Sequence, residues 1–352
     1  MKEKLFYLLF LMIFIFPISV VADSSKSSVV MDLDSGRVLY ENHVNDKRLI
    51  ASTTKIMTAI LAIEQGDLNR KITVGEEVLS MYGTNIYIEV GEKISMKDLL
   101  YGLLLRSGND ASVVIAKEVG GSEEKFVEMM NEKAKDIGMK NTIFKNPHGL
   151  DEETKNFSTA YDMALLSKYA FSNKLYRKIV KTQKYEVSTV KKTYLWYNRN
   201  QLLTDYKYCT GGKNGYTPSA GKTLVSTASK DDLNLTIVSL NDGDIYNNHE
   251  NLYENIFSEY HRYEIIDKND FHISAETSDK NFYLKESFYY PLTEQEVEKI
   301  RTVVHFFKQP SSDKTGVINI YLDNEKIGKI FIYTKEKKKE DFSFLRWLKE
   351  LI

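Results

Sequence analysis

Ser52 and Lys55 stand three residues apart in Ile50-Ala51-Ser52-Thr53-Thr54-Lys55-Ile56-Met57-Thr58, and the chain continues apolar through Ile60, Leu61, Ala62 and Ile63. Residues three apart on a helix share a face, so the two side chains meet. A serine hydroxyl is a weak nucleophile until a base takes its proton. A lysine amine does this when burial or a second positive charge favours its neutral form, and the apolar run after Lys55 offers burial. A helix N-terminus near Ser52 would also aim backbone N–H groups at a developing oxyanion. The same spacing fits a serine N-cap and a lysine snorkelling to the surface, so the pair alone defines no site.

Two further elements follow in order. Ser107-Gly108-Asn109 falls in a loop between two helical segments, and Lys213-Asn214-Gly215 precedes a strand that includes Leu224. S-x-x-K, then S-x-N, then a K-T-G-like triplet is the active-serine set of penicillin-recognising enzymes. The flanks carry the likeness further, in Leu103-Leu104-Leu105-Arg106-Ser107-Gly108-Asn109-Asp110-Ala111, Phe144-Lys145-Asn146-Pro147-His148-Gly149-Leu150-Asp151 and Asn198-Arg199-Asn200. Over about residues 26–335 the chain resembles the D-alanyl-D-alanine carboxypeptidase family, the low-molecular-mass penicillin-binding proteins.

The resemblance implies an α/β (α+β) fold: a β-lactamase/transpeptidase-like domain, its antiparallel sheet flanked by helices, with a small C-terminal β-rich domain. It implies a peptidoglycan stem peptide ending in D-Ala-D-Ala as substrate, β-lactams as inhibitors, and neither metal nor cofactor. By similarity Ser52 attacks the carbonyl between the two D-alanines and Lys55 accepts its proton. Ser107 passes a proton to the leaving D-alanine, and Asn109 holds Lys55 and the substrate amide. Backbone N–H groups of Ser52 and Tyr216 form the oxyanion hole, and Lys213, Asn214, Gly215, Tyr216 and Thr217 line the substrate. Arg199 is either a carboxylate contact or a surface arginine.

One position departs from the pattern. The family's threonine hydroxyl meets the substrate carboxylate, and here Asn214 takes its place, with an amide of longer reach. A literal Lys314-Thr315-Gly316 occurs later, where Asp313-Lys314-Thr315-Gly316 reads as a turn before a strand at 317–322. Lys213 is preferred, because Gly215-Tyr216-Thr217-Pro218-Ser219-Ala220-Gly221 continues the family run. His148 reads as a structural loop histidine rather than a base, and the six histidines show no metal-ligand spacing.

The elements that must position these residues are legible in outline. Residues 28–33 and 37–40 read as a hairpin around Asp34-Ser35-Gly36. Helices are expected at 96–105 and 111–119, after the N-cap Ser122 as far as Gly138, and from Ser158-Thr159. Beyond about 181 the period approaches two, with strands at 224–228 and 233–240 joined by Ser229-Lys230-Asp231-Asp232, then a helix at 249–260. Short alternating segments at 271–275, 282–284, 302–307, 317–322 and 329–333 indicate the β-rich domain. The division expected is therefore 23–262 for the catalytic domain and 263–335 for the β-rich one.

Composition bounds the alternatives. With 352 residues, 42% hydrophobic and a net charge of −1, the chain can bury a large core and lacks the basic excess of a nucleic-acid binder. Lys2 and Lys4, an apolar run and Val20-Val21-Ala22 read as a signal peptide cut after Ala22, placing the mature chain outside the cytoplasm. The single cysteine, Cys209, forms no internal disulfide and reads as a small buried strand residue. Residues 336–352 pair a charge cluster with Phe342, Leu345, Leu348 and Ile352 on one side, an amphipathic segment suited to a membrane interface at the outer face of the cytoplasmic membrane. Competing readings are a β-lactamase, for which no deacylating glutamate is placed, a penicillin-binding module of weak catalysis supported by Asn214, and a D,D-endopeptidase.

Overall fold

The structure, a computed structural model, describes residues 23–271, 281–308 and 313–335. The expected signal peptide at 1–22, most of the strand expected at 271–275, and the tail at 336–352 lie outside the described residues. Among those described, no helix is long and apolar enough to cross a membrane.

Five antiparallel strands form the central sheet, in the order Val38–Asn42, Ser27–Asp32, Leu233–Leu240, Gly221–Lys230 and Cys209–Thr217. Side chains alternate between its faces. Val29, Met31, Val225, Val238 and Leu240 join one core, which also takes in the helices Lys55–Gln65, Asn109–Gly120 and Ala160–Ser172. Val30, Leu224, Leu235 and Ile237 face the other, filled by Leu252, Tyr253, Ile256 and Phe257 of the helix Ile245–Glu259. Both faces of Leu233–Leu240 are therefore covered, and even its polar Thr236 and Ser239 are fully buried. This is the helix-flanked antiparallel sheet that the resemblance implied.

Several local signals act as expected. Ser122 accepts a hydrogen bond from the Lys125 N–H at the start of Glu123–Ile137, and Gly138 ends that helix at φ 90°. Asp231 and Asp232 both take positive φ, the geometry of a two-residue hairpin between Lys230 and Leu233.

Three elements differ from expectation. Ser52 lies on a 3₁₀ turn, Ala51–Thr54, ahead of the α-helix Lys55–Gln65; residues three apart eclipse on such a turn, so the pairing with Lys55 is retained. The helix expected at 96–105 is α-helical only over Met96–Tyr101 and passes into a π turn, Gly102–Arg106. Lys314-Thr315-Gly316 is no turn, because pairing with Tyr333 and Phe306 draws it into the strand Lys314–Leu322.

The C-terminal region is β-rich. Its sheet runs Asn281–Leu284, Glu325–Lys335, Lys314–Leu322 and Ile300–Phe306 over a core of Leu284, Ile318, Ile320, Ile330 and Ile332. A separate pair, His261–Ile266 with Phe288–Leu292, connects it to the larger sheet's neighbourhood. Arg37 bridges to this region: its guanidinium donates to Pro291 O at 2.6 Å and grips the Glu296 carboxylate at 2.5 and 3.0 Å. That two-pronged geometry is the strong form of an arginine–carboxylate contact.

Candidate active site

Lys55 is fully buried, and its Nζ has three oxygen neighbours: Ser52 Oγ at 2.9 Å, Asn109 Oδ1 at 2.7 Å and the His148 carbonyl at 2.6 Å. The Asn109 amide cannot be turned over without loss, because its Nδ2 donates to the Tyr82 carbonyl at 2.7 Å. Burial, then the charge of Lys213, holds the Lys55 ammonium well below the usual lysine range, and Asp110 opposes this. A neutral amine has two hydrogens and one lone pair. In that form the two carbonyl oxygens would accept the hydrogens, leaving the lone pair for the Ser52 hydroxyl. The site is thus arranged to take a proton from Ser52.

Backbone strain brackets this contact. Ala51, just before Ser52, has φ 45°, and Ser107, where the π turn ends, has φ 66°. Such values are uncommon for residues with a Cβ and cluster at functional sites. Ser107 is buried, at the start of the stretch that carries Asn109.

The supporting shell was not anticipated. The Asp110 carboxylate accepts the N–H groups of Ile86, Tyr87 and Ile88 at 3.0, 2.7 and 3.3 Å. It pins the loop whose Tyr82 carbonyl orients Asn109. On the other side, Asn146 Oδ1 accepts the Gly149 N–H at 2.6 Å, and Asn156 Nδ2 donates to Thr54 Oγ1 at 3.0 Å. Thr58 donates to the Pro147 carbonyl at 2.6 Å. A side chain at Gly149 would meet the Ala51 carbonyl oxygen at 1.9 Å, so this loop lies directly against the nucleophile's turn. The sequence signal was the asparagine-rich spacing itself, which carries no pairing information. Asn156 begins a glycosylation sequon, yet it is buried and bonded.

The edge strand Cys209–Thr217 completes the site. Lys213 is buried and donates to the Asn214 carbonyl. Burial, then the charge of Arg199, lowers its pKa to about 7. Arg199 is exposed and donates to Thr84 Oγ1 at 3.1 Å, beside the loop that Asp110 holds. Gly215 lies against Ser52. Asn214 is half-buried and, by the period of a strand, out of step with Lys213 and Gly215. Tyr216 is 65% exposed.

Thr217, His148 and Cys209 each have defined partners. The Thr217 hydroxyl donates to Asp151 at 2.6 Å and accepts the Ala220 N–H at 3.0 Å, so it ties the strand end to the 151 loop and is not free for a substrate. The His148 ring is buried, its pKa driven down to about 3 by burial and by Lys55, and its Nδ1 accepts the Leu150 N–H. Its contribution to the site is its carbonyl. Cys209 is a buried strand residue as expected, its thiol pushed up to about 11 by burial.

A family model described as D-alanyl-D-alanine carboxypeptidase matches residues 18–244. The chain is 40% identical to D-alanyl-D-alanine carboxypeptidase DacF of Bacillus subtilis over 60% of its length and 56% of that relative. It is 34% identical to DacC of Escherichia coli over 61% of the chain and 56% of that relative. The chain thus spans little more than half the length of these curated relatives. Among solved structures, the D-alanyl-D-alanine carboxypeptidase DacD of Francisella tularensis superposes with TM-score 0.69 at 25% identity, covering 89% of this chain and 93% of that one. Penicillin binding protein 5 of Haemophilus influenzae, at 24% identity, shares the fold with TM-score 0.74 over 90% of this chain and 97% of that one.

Proposed function

The chain belongs to the D-alanyl-D-alanine carboxypeptidase family, and on that premise we propose that it is a serine D,D-carboxypeptidase removing the terminal D-alanine from peptidoglycan stem peptides. The observation that carries this reading is the placement of Lys55: its buried Nζ, held well below the usual lysine pKa by burial and Lys213, lies 2.9 Å from Ser52 Oγ and is flanked by Asn109 Oδ1 and the His148 carbonyl.

In the proposed reaction the Ser52 Oγ attacks the carbonyl of the penultimate D-alanine as its proton passes to Lys55 Nζ. The Ser52 and Tyr216 N–H groups hold the oxyanion. Collapse of the tetrahedral intermediate breaks the peptide bond, the proton held on Lys55 passes through Ser107 to the leaving amine, and an ester remains on Ser52. Water then attacks that ester and restores the hydroxyl. Lys213, while protonated, and Arg199 attract the terminal carboxylate. A β-lactam acylates Ser52 by the same steps and leaves a slowly hydrolysed ester. Export by the N-terminal segment, with attachment at the outer face of the cytoplasmic membrane through residues 336–352, suits a wall substrate.

Asn214 favours a second reading, a penicillin-binding module of weak catalysis, since the hydroxyl expected at the carboxylate is missing. One experiment separates the two. Residues 23–352 and Ser52→Ala are assayed for D-alanine release from a stem pentapeptide and for acylation by fluorescent penicillin. Release that vanishes in the variant establishes the carboxypeptidase. Acylation without release selects the binding module, and release from cross-linked peptide alone indicates an endopeptidase.

A further inference from the structure

Where Arg37 grips Glu296, the catalytic region meets one end of the C-terminal sheet; the strand Ile300–Phe306 begins a few residues later, paired there with Leu322. A seven-residue strand carries the chain about 20 Å from that end. At the far end the registers bring together Phe306 opposite Gly316, Lys314 opposite Tyr333, and Asn281 opposite Lys335.

This far end has an unusual surface. Val304, Phe306 and Phe307 are 43%, 48% and 38% exposed on one short stretch. Soluble surfaces seldom expose adjacent large apolar side chains without a partner. Phe306 packs on Phe282 with ring centroids 5.2 Å apart, so the patch reaches the strand at the other edge of the sheet. Exposed Lys308 follows the phenylalanines, and Lys314 lies over the Phe331 ring at 4.4 Å. The acid of this end, Asp313, is bonded by Lys285 at 3.1 Å. The described chain also ends here, at Lys335, with Glu336-Lys337-Lys338-Lys339 and then Phe342 to Ile352 still to follow.

We propose that this end of the C-terminal sheet, Val304, Phe306, Phe307 and Lys308 with Lys314, docks onto an anionic lipid surface. The phenylalanines enter the headgroup–acyl boundary and the lysines lie among the anionic headgroups. Charge and exit point argue for this occupant. The patch is cationic at its rim, and the seventeen residues beyond Lys335, 336–352, begin at the same end with three lysines in their first four positions. The catalytic region, attached at the opposite end, would then face away from the bilayer. The inference does not depend on the proposed activity.

The test is flotation of the chain from residue 23 to 352 with vesicles of phosphatidylglycerol and phosphatidylcholine, beside pure phosphatidylcholine. Phe306→Ser/Phe307→Ser should lower partition into anionic vesicles by about tenfold, with penicillin acylation unchanged. A second probe guards against misfolding of that variant. Phe307→Trp in a Trp347→Phe background should shift its emission to the blue on anionic vesicles and be quenched by brominated lipid. Equal partition of the serine variant, or a tryptophan at 307 blind to lipid, would overturn the proposal. So would a wild-type chain that does not partition at all.

Discussion

Gly215 passes so close to Ser52 that a Cβ at Gly215 would stand 2.7 Å from the Ser52 amide nitrogen and 2.6 Å from Thr223 Oγ1. Neither neighbour is the free end of a flexible chain, so the edge strand and the nucleophile's turn would have to separate. Gly215→Ala should therefore slow acylation of Ser52 by about 100-fold, as a misplacement of about 1 Å can. Stopped-flow acylation by a fluorescent penicillin, with circular dichroism to confirm folding, measures it. A variant that acylates at the native rate would show that the contact tolerates displacement.

Lys213 should set an alkaline limb on activity. It keeps its charge only below about 7, and above that the field for a terminal carboxylate weakens. kcat/KM should fall as pH rises through that value. Lys213→Arg, which stays protonated, should abolish the limb. Arg199→Ala removes a like charge that depresses Lys213, so the limb should move upward. An unmoved limb in both variants would assign it to another group.

The same lysines govern stability against pH. Both Lys55 and Lys213 have folded pKa values below the unfolded value of 10.5. Between the folded and unfolded values the unfolded chain binds more protons, so stability rises with pH from about 7 toward 10.5. Lys213→Met should raise the melting temperature at pH 7 and flatten that rise. Urea titrations at several pH values test the slope, and a native-like slope in the variant would contradict the assignment.

Asn214→Thr should raise kcat/KM for D-alanine release by roughly tenfold, the worth of a well-placed hydrogen bond to a charged group. The period of the strand leaves Asn214 out of step with Lys213, so only a short hydroxyl near the backbone suits the carboxylate. Equal rates would mean that the longer amide already reaches it.

Asp110→Asn tests the supporting shell. The carboxylate collects three backbone N–H groups from residues 86–88, and an amide cannot accept them all. The cost should be about 1–3 kcal/mol of stability, with slower acylation because Tyr82 no longer fixes Asn109. Calorimetry and acylation kinetics together check this. Loss of stability with native acylation would detach Asp110 from the site.

The motif order in the sequence singled out Ser52, Lys55, Asn109 and the strand of Lys213 as parts of one site, because S-x-x-K, S-x-N and the triplet at Lys213 carry their chemistry in residue type, and the structure brings them together. Strand period and cap residues, as at Ser122 and Gly138, likewise determined much of the sheet and its helices, since these are local effects. Only the tertiary structure decided which partner each polar group takes. The role of the His148 carbonyl, the grip of Asp110 on residues 86–88 and the diversion of the Thr217 hydroxyl to Asp151 join segments from 22 to 93 residues apart. No local pattern encodes such pairings; they follow from packing the turn of Ser52 between the edge strand and two loops. The same holds for Lys55. Its type and place are written in the sequence, but its lowered pKa comes from complete burial beside Lys213, which exists only once the chain has folded.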